Sequence, residues 1–167
     1  MAETVLNIRI TVDGDNTEQW DGQGVAGVVV KEADEQRYTL TVAYPANKPD
    51  VGIARDGHRD FAGPAAIEKA AWTYLTESPV VGQWHQDGTD GAGRVVESYI
   101  WRFPDQVVKA ADGSEYVISE GDWLLGVVWD QPAWENFKSG RATGVSMQGQ
   151  HAVRQPASPE SVIKLRS

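Results

Sequence analysis

The chain contains no cysteine, so a nucleophilic enzyme built from it must use serine, threonine or lysine, activated by an adjacent base. Histidine is the side chain with the right intrinsic basicity near neutral pH, and there are three: His58, His85 and His151. His85 closes the apolar run Val80-Val81-Gly82-Gln83-Trp84 and opens a turn-rich stretch. A base at a strand end is held rigidly and can face a cleft, although the same position suits a surface histidine at a hairpin tip. Ser146 lies in Thr143-Gly144-Val145-Ser146-Met147-Gln148-Gly149. Glycines on both sides let a backbone approach closely, but the second glycine falls too late for a nucleophile elbow. An ordinary strand serine between turn glycines has the same pattern. Glu97 is a charge inside the apolar run Val95 to Tyr99. It is either a solvent-facing position or a carboxylate that orients the imidazole of His85, the third member of a triad. His151 is the second candidate for that role, although a regular strand puts positions 146 and 151 on opposite faces unless a bulge intervenes at Gly149. His58, in Asp56-Gly57-His58-Arg59-Asp60, is expected to be exposed.

Composition excludes several other chemistries. The formal net charge of -9 repels phosphate, so neither nucleic acid nor an anionic membrane is an expected partner. No apolar run is long enough to span a bilayer, and the first residues lack the apolar core of a secretory signal. Asp87 and Asp90 share one turn, and Asp50, Asp56 and Asp60 share a loop. Neither set matches calcium-loop or zinc spacing, so no metal and no cofactor is expected. The seven tryptophans suit core positions in a β-rich domain, or a stacking surface for sugar or peptide if several line one groove.

At 167 residues the chain is expected to form one domain, spanning residues 1–154 and followed by a surface tail or linker over 155–167. Alternation predicts a strand from Val5 to Val12, and further strands over Val25 to Val30 and Tyr38 to Tyr44. Pro45 to Gly63 reads as a long irregular loop. Pro64 starts a helix over 64–77, since proline suits the first turn and Ile67, Ala70, Ala71, Tyr74 and Leu75 follow helical spacing. The runs Val80 to His85 and Val95 to Phe103 look like a hairpin. Asp122 to Val128 is another strand. A short helix follows from Pro132 to about Ser139, with Asp130 to cap it and Gly140 beyond its end. Thr143 to Gln150 is the last strand, expected to continue past His151 to Val153. The expected fold is α+β and strand-dominated, a barrel-like or curled antiparallel β core with two or so outer helices.

Several local patterns, in order, resemble the XkdF-like family of phage serine proteases. They are Ile67-Glu68-Lys69-Ala70-Ala71-Trp72, then Val81-Gly82-x-x-His85, then Arg94-Val95-Val96-Glu97-Ser98-Tyr99-Ile100. Gly121-Asp122-Trp123-Leu124-Leu125-Gly126-Val127, Trp134-Glu135-x-x-Lys138-Ser139-Gly140 and Thr143-Gly144-Val145-Ser146-Met147 continue the series, which covers about residues 50 to 154. That family is related to the prohead proteases of tailed phages and is similar in fold to the herpesvirus assemblin group. The resemblance implies Ser146 as nucleophile and His85 as general base, with Val145 standing where the family often has an aromatic residue. It implies cleavage of phage scaffold segments and major capsid protein extensions inside the assembling procapsid, in the host cytoplasm, and it allows a homodimer. The competing expectations are an assembly protein that keeps the protease fold without activity, and a tryptophan-lined binding module.

Overall fold

The computed structural model describes residues 7–14, 26–33, 36–49, 59–77, 79–84, 89–150 and 156–166, with 7–14, 26–33 and 146–150 described as backbone. His58, His85 and His151 lie outside the described residues. The elements in chain order are β1 (Asn7–Gly14), β2 (Ala26–Ala33), β3 (Tyr38–Tyr44), α1 (Pro64–Glu77), β4 (Val81–Gln83), β5 (Gly93–Ile100), β6 (Gln106–Lys109), β7 (Glu115–Ile118), β8 (Trp123–Trp129), α2 (Gln131–Lys138), β9 (Ala142–Gln150) and α3 (Pro159–Ile163).

Seven strands form one sheet in the order β4-β1-β9-β2-β3-β8-β5, and β6 pairs with β7 in a separate two-stranded ribbon. All pairs are antiparallel except β1 with β4. Residues 123, 125, 127 and 129 of β8 face the main core, while Leu124 faces a second cluster, the alternation a pleated strand imposes. The main core also takes Ile67, Ala70, Ala71 and Tyr74 from α1 and Ala133, Trp134 and Phe137 from α2. Helix α1 spans the expected residues, but Leu75, on the edge of its apolar stripe, is exposed. Helix α2 is capped by Asp130, whose carboxylate accepts the Ala133 N–H at 2.8 Å. Trp129 is buried between α2 and the sheet, its ring centroid 4.9 Å from that of Phe137 and its indole N–H donating to Thr39 Oγ1 at 2.9 Å.

The curled, strand-dominated α+β fold is present, but the sheet does not close into a barrel. Val81 of β4 and Val95 and Ile100 of β5 belong to one core, so the two edges turn toward each other. Gly91 and Ala92 both donate to Val81 O at 3.0 and 3.1 Å. No ladder joins β4 to β5 among the described residues. The expected hairpin between these two strands is therefore replaced by different pairing: β4 runs parallel to β1, and β5 pairs with β8. A strand of three residues is too short to hold a long partner, and β5 buries Ile100 and Val95 by lying on β8 instead.

Two elements were not expected from the sequence. The β6–β7 ribbon covers the outer face of β3 and β8, where Val42, Leu124 and Ile118 are buried with Leu40, Trp101, Val108 and Tyr116 packed around them. Helix α3 sits in the C-terminal segment, capped by Ser158 and with no buried residue. Past it, Arg166 N donates to Asn47 O at 2.8 Å, and its guanidinium donates to Asp122 Oδ1 at 2.9 Å. Of the six described tryptophans, Trp123, Trp129 and Trp134 are buried, Trp84 and Trp101 are half-buried and Trp72 is exposed. Only Trp72 of the six is exposed, whereas a stacking surface needs several exposed tryptophans.

Tyr116 gives this second cluster a pH signature. Burial pushes its phenol up to about 12 from an ordinary value of 10.0; the charge of Asp122 adds to the rise and that of Arg166 offsets part of it. An acid whose folded pKa is raised stabilises the fold fully below its unfolded value and loses that contribution as pH rises through the folded one. Melting temperature should therefore fall between pH 10 and about 12 more steeply in the wild type than in Tyr116→Phe. Parallel slopes in the two proteins would contradict this.

Candidate active site

Ser146 is fixed by ladders on both sides of β9. It pairs with Thr11 of β1 and with Ala26, the first residue of β2. Thr11 in turn pairs with Gly82 of β4. One row across the sheet therefore reads Gly82, Thr11, Ser146, Ala26. Adjacent strands lie about 4.8 Å apart, so the Gly82 and Ser146 backbones are roughly 10 Å apart across β1. Val145, the neighbour of Ser146, is fully buried in the main core, which pins β9 at this point. The serine thus stands on an interior strand, and β4, the strand that leads to His85, lies two strands away in the same row.

The chain just before His85 is held from three directions. The Gln83 N–H donates to Thr89 Oγ1 at 2.8 Å, and the same hydroxyl donates to Gln83 O at 3.0 Å. Asn136 of α2 donates to the Gln83 side-chain oxygen at 2.9 Å. Trp84 follows with φ of 54°, in the left-handed region, an unfavourable conformation for a bulky residue. Nothing in the spacing of the sequence marked Thr89 or Asn136: the first sits in a cluster of turn residues, the second on a helix far along the chain.

Glu97 stands elsewhere on the sheet. Val95 pairs with Val127, and Glu97 pairs with Gly126, which leaves Val96 as a bulge. The extra residue reverses the alternation, so Val95 packs on the core while Glu97 is exposed. The Tyr38 hydroxyl donates to Glu97 Oε2. Burial raises the Tyr38 pKa first, and this bond raises it further; burial and then the Glu97 charge also raise that of Tyr99. Strands β2, β3 and β8 separate β9 from β5, so the sheet order does not bring Glu97 beside Ser146. Gly126 makes the Tyr38–Glu97 contact feasible. A Cβ there would lie 2.5 Å from Glu97 Oε2 and 2.8 Å from Glu97 Cβ. Gly126→Ala should cost about 1–3 kcal/mol in denaturant unfolding; a variant of wild-type stability would show that β5 yields freely at this point.

No group of three or more His, Asp or Glu side chains among the described residues is arranged to hold a metal ion, and none of their helices is long and apolar enough to cross a membrane.

With Ser146 on an interior strand in one row with Gly82 of β4, the class follows from comparison. The chain belongs to the family described as "Putative phage serine protease XkdF", whose model matches residues 25–154. It is similar to two proteins of Bacillus subtilis (strain 168). With "Phage-like element PBSX protein XkdF" it shares 38% identity over 119 residues, covering 71% of this chain and 38% of the relative. With "Uncharacterized protein YqbD" it shares 34% over 131 residues, covering 78% of this chain and 37% of the relative. The chain thus matches well under half the length of both relatives. No solved structure matches it.

Proposed function

We propose that this domain is the peptidase region of a phage or prophage capsid maturation protease. Ser146 Oγ attacks the scissile carbonyl carbon while His85 takes the hydroxyl proton. The C–N bond then breaks as His85 returns the proton to the leaving amine. Water, deprotonated by His85, hydrolyses the acyl ester and restores the serine. The observation that carries this reading is the row Gly82, Thr11, Ser146, Ala26. It sets the serine on a rigid interior strand and sets the strand that runs into His85 one strand beyond its neighbour. Membership of the family supports the reaction class.

A third group fixes the imidazole tautomer. Glu97 is the first candidate and His151 the second. Glu97 lies on β5, away from the serine's strand. Strand β9 keeps unbroken register from Ser146 to Gln150, without a bulge at Gly149 that would bring position 151 to the serine's face. Substrates are the scaffold and major capsid protein, met in the host cytoplasm inside the procapsid. Enclosure there raises local concentration, so weak intrinsic affinity suffices. Activity of a homodimer fits the same setting.

The test is co-expression with the scaffold and capsid proteins of the same phage, read by intact mass, alongside exposure to a fluorophosphonate probe. Specific truncation products and a single probe adduct are expected. Intact partners and an unlabelled serine, both in assembled particles, would overturn the reading in favour of an assembly protein that keeps the fold.

A further inference from the structure

We infer that Asp122 and the Asn47 carbonyl form a docking site for an arginine-bearing peptide, and that residues 156–166 fill it in cis as a separable ligand rather than as part of the core. The acceptor groups lie inside the span matched by the family, residues 25–154, whereas the arginine comes from outside it. The domain itself sets the acceptors. Asp122 is fully buried, and the Ala46 and Ser119 N–H groups donate to its two oxygens at 2.8 and 2.9 Å. These bonds aim the carboxylate whether or not an arginine is present. Asn47 holds a left-handed turn at φ of 54°, which asparagine tolerates, and its N–H donates to Ala62 O at 2.8 Å. Its carbonyl is thereby fixed to accept the Arg166 N–H at 2.8 Å. The arginine thus meets a main-chain acceptor and, 2.9 Å from its guanidinium, a buried charge. The ligand side is built differently. Helix α3 is closed by its own bonds: Ser158 Oγ accepts the Ser161 N–H at 3.2 Å, and the Val162 N–H donates to Ser158 O at 3.1 Å. No residue of α3 is buried, and Val162 and Ile163 are exposed. A segment that belongs to a core buries apolar side chains in it; this one places a charged side chain in a charged site instead. The Arg166 Nε is buried without a partner among the described residues. That unmet donor costs free energy on docking, which weakens the docking and leaves it reversible.

The test uses the isotopically labelled full chain as wild type and as Arg166→Ala. Backbone order parameters for residues 160–165 should fall from about 0.85 to below about 0.6 in the variant, the change from ordered to flexible backbone, while those of β8 stay as they are. A synthetic peptide of residues 156–167 is then added in trans to Arg166→Ala. A short tether supplies an effective concentration of the order of millimolar, so the peptide is titrated to about 10 mM. It should return the amide shifts of Ala46, Asn47 and Ser119 toward their wild-type positions, and the same peptide carrying Arg166→Ala should leave them unmoved. If Arg166→Ala does not fold, the wild-type chain serves. A spin-labelled wild-type peptide at the same concentration should then exchange with the cis segment and broaden the Ala46, Asn47 and Ser119 resonances. Residues 160–165 that stay ordered in Arg166→Ala would show that other contacts hold the segment, and would overturn the inference. So would acceptor resonances that the arginine peptide neither shifts in the variant nor broadens in the wild type.

Discussion

Ser146→Ala is expected to lose fluorophosphonate labelling and peptide cleavage by about 10⁴-fold or more, the scale seen when a covalent nucleophile is removed. The fold should survive. Strand β9 is held by backbone ladders to β1 on one side and β2 on the other, and buried Val145 anchors it to the core; none of these needs the serine hydroxyl. Near-UV circular dichroism of the variant should therefore match the wild type while intact mass shows no adduct. His85→Gln completes the argument. An uncharged serine is a weak nucleophile without its base, so wild-type labelling should rise with pH as the base loses its proton. That rise should vanish in His85→Gln. Labelling of Ser146→Ala at the wild-type rate would sink the nucleophile assignment outright, whatever the state of the histidine.

The second large effect concerns stability. Asp122 has no exposed surface, yet it carries a carboxylate. Its Oδ1 accepts the Ala46 N–H at 2.8 Å and an Arg166 guanidinium N–H at 2.9 Å, and its Oδ2 accepts the Ser119 N–H at 2.9 Å. One side chain thus joins the end of β3, the end of β7 and the C-terminal segment. Asp122→Ala orphans two buried amides and the arginine, and should cost about 3–5 kcal/mol in denaturant unfolding. Arg166→Ala leaves the buried carboxylate without its counter-charge, and about 3 kcal/mol is expected near neutral pH.

The pH dependence of the arginine variant separates charge from packing. Burial raises the Asp122 pKa above its ordinary 3.8, and the two amides and Arg166 hold it back. Removing Arg166 lets it rise further. A carboxyl with a raised folded pKa stabilises the fold below its unfolded value and loses that contribution as pH climbs through the folded one. The stability gap between Arg166→Ala and wild type should therefore be small near pH 3.8 and widen as pH rises. A gap that is constant with pH would mean that Arg166 contributes through packing alone. A second check is the double variant: Asp122→Ala with Arg166→Ala should be well short of the sum of the single losses, because the two groups act as one pair.

The sequence by itself determined the elements whose signals are local. Proline at position 64, helical spacing of Ile67, Ala70, Ala71 and Tyr74, and Pro79 beyond the end specify α1. Asp130, Pro132 and Gly140 do the same for α2, and the run Trp123 to Trp129 is apolar enough to be an interior strand. The ordered series of motifs running from Ile67 to Met147, taken together, was enough to reach the family. Partners were a different matter. Alternation told which residues form a strand, but not that β4 joins β1 in parallel or that β5 lies on β8. The bulge at Val96 decides which face Glu97 takes, and it is set by how β5 fits against β8 rather than by the order of residues within β5. The ribbon of β6 and β7 has four-residue strands, too short for periodicity to register, and it exists because the outer face of β3 and β8 needs cover. Asp122 with Arg166, and Gln83 with Thr89 and Asn136, are contacts between a buried or edge polar group and whatever the fold brings near it. Caps, turns and apolar spacing carry their energy within a few neighbours. Strand pairing and burial of charge draw theirs from residues far apart in the chain, so only the tertiary structure decides them.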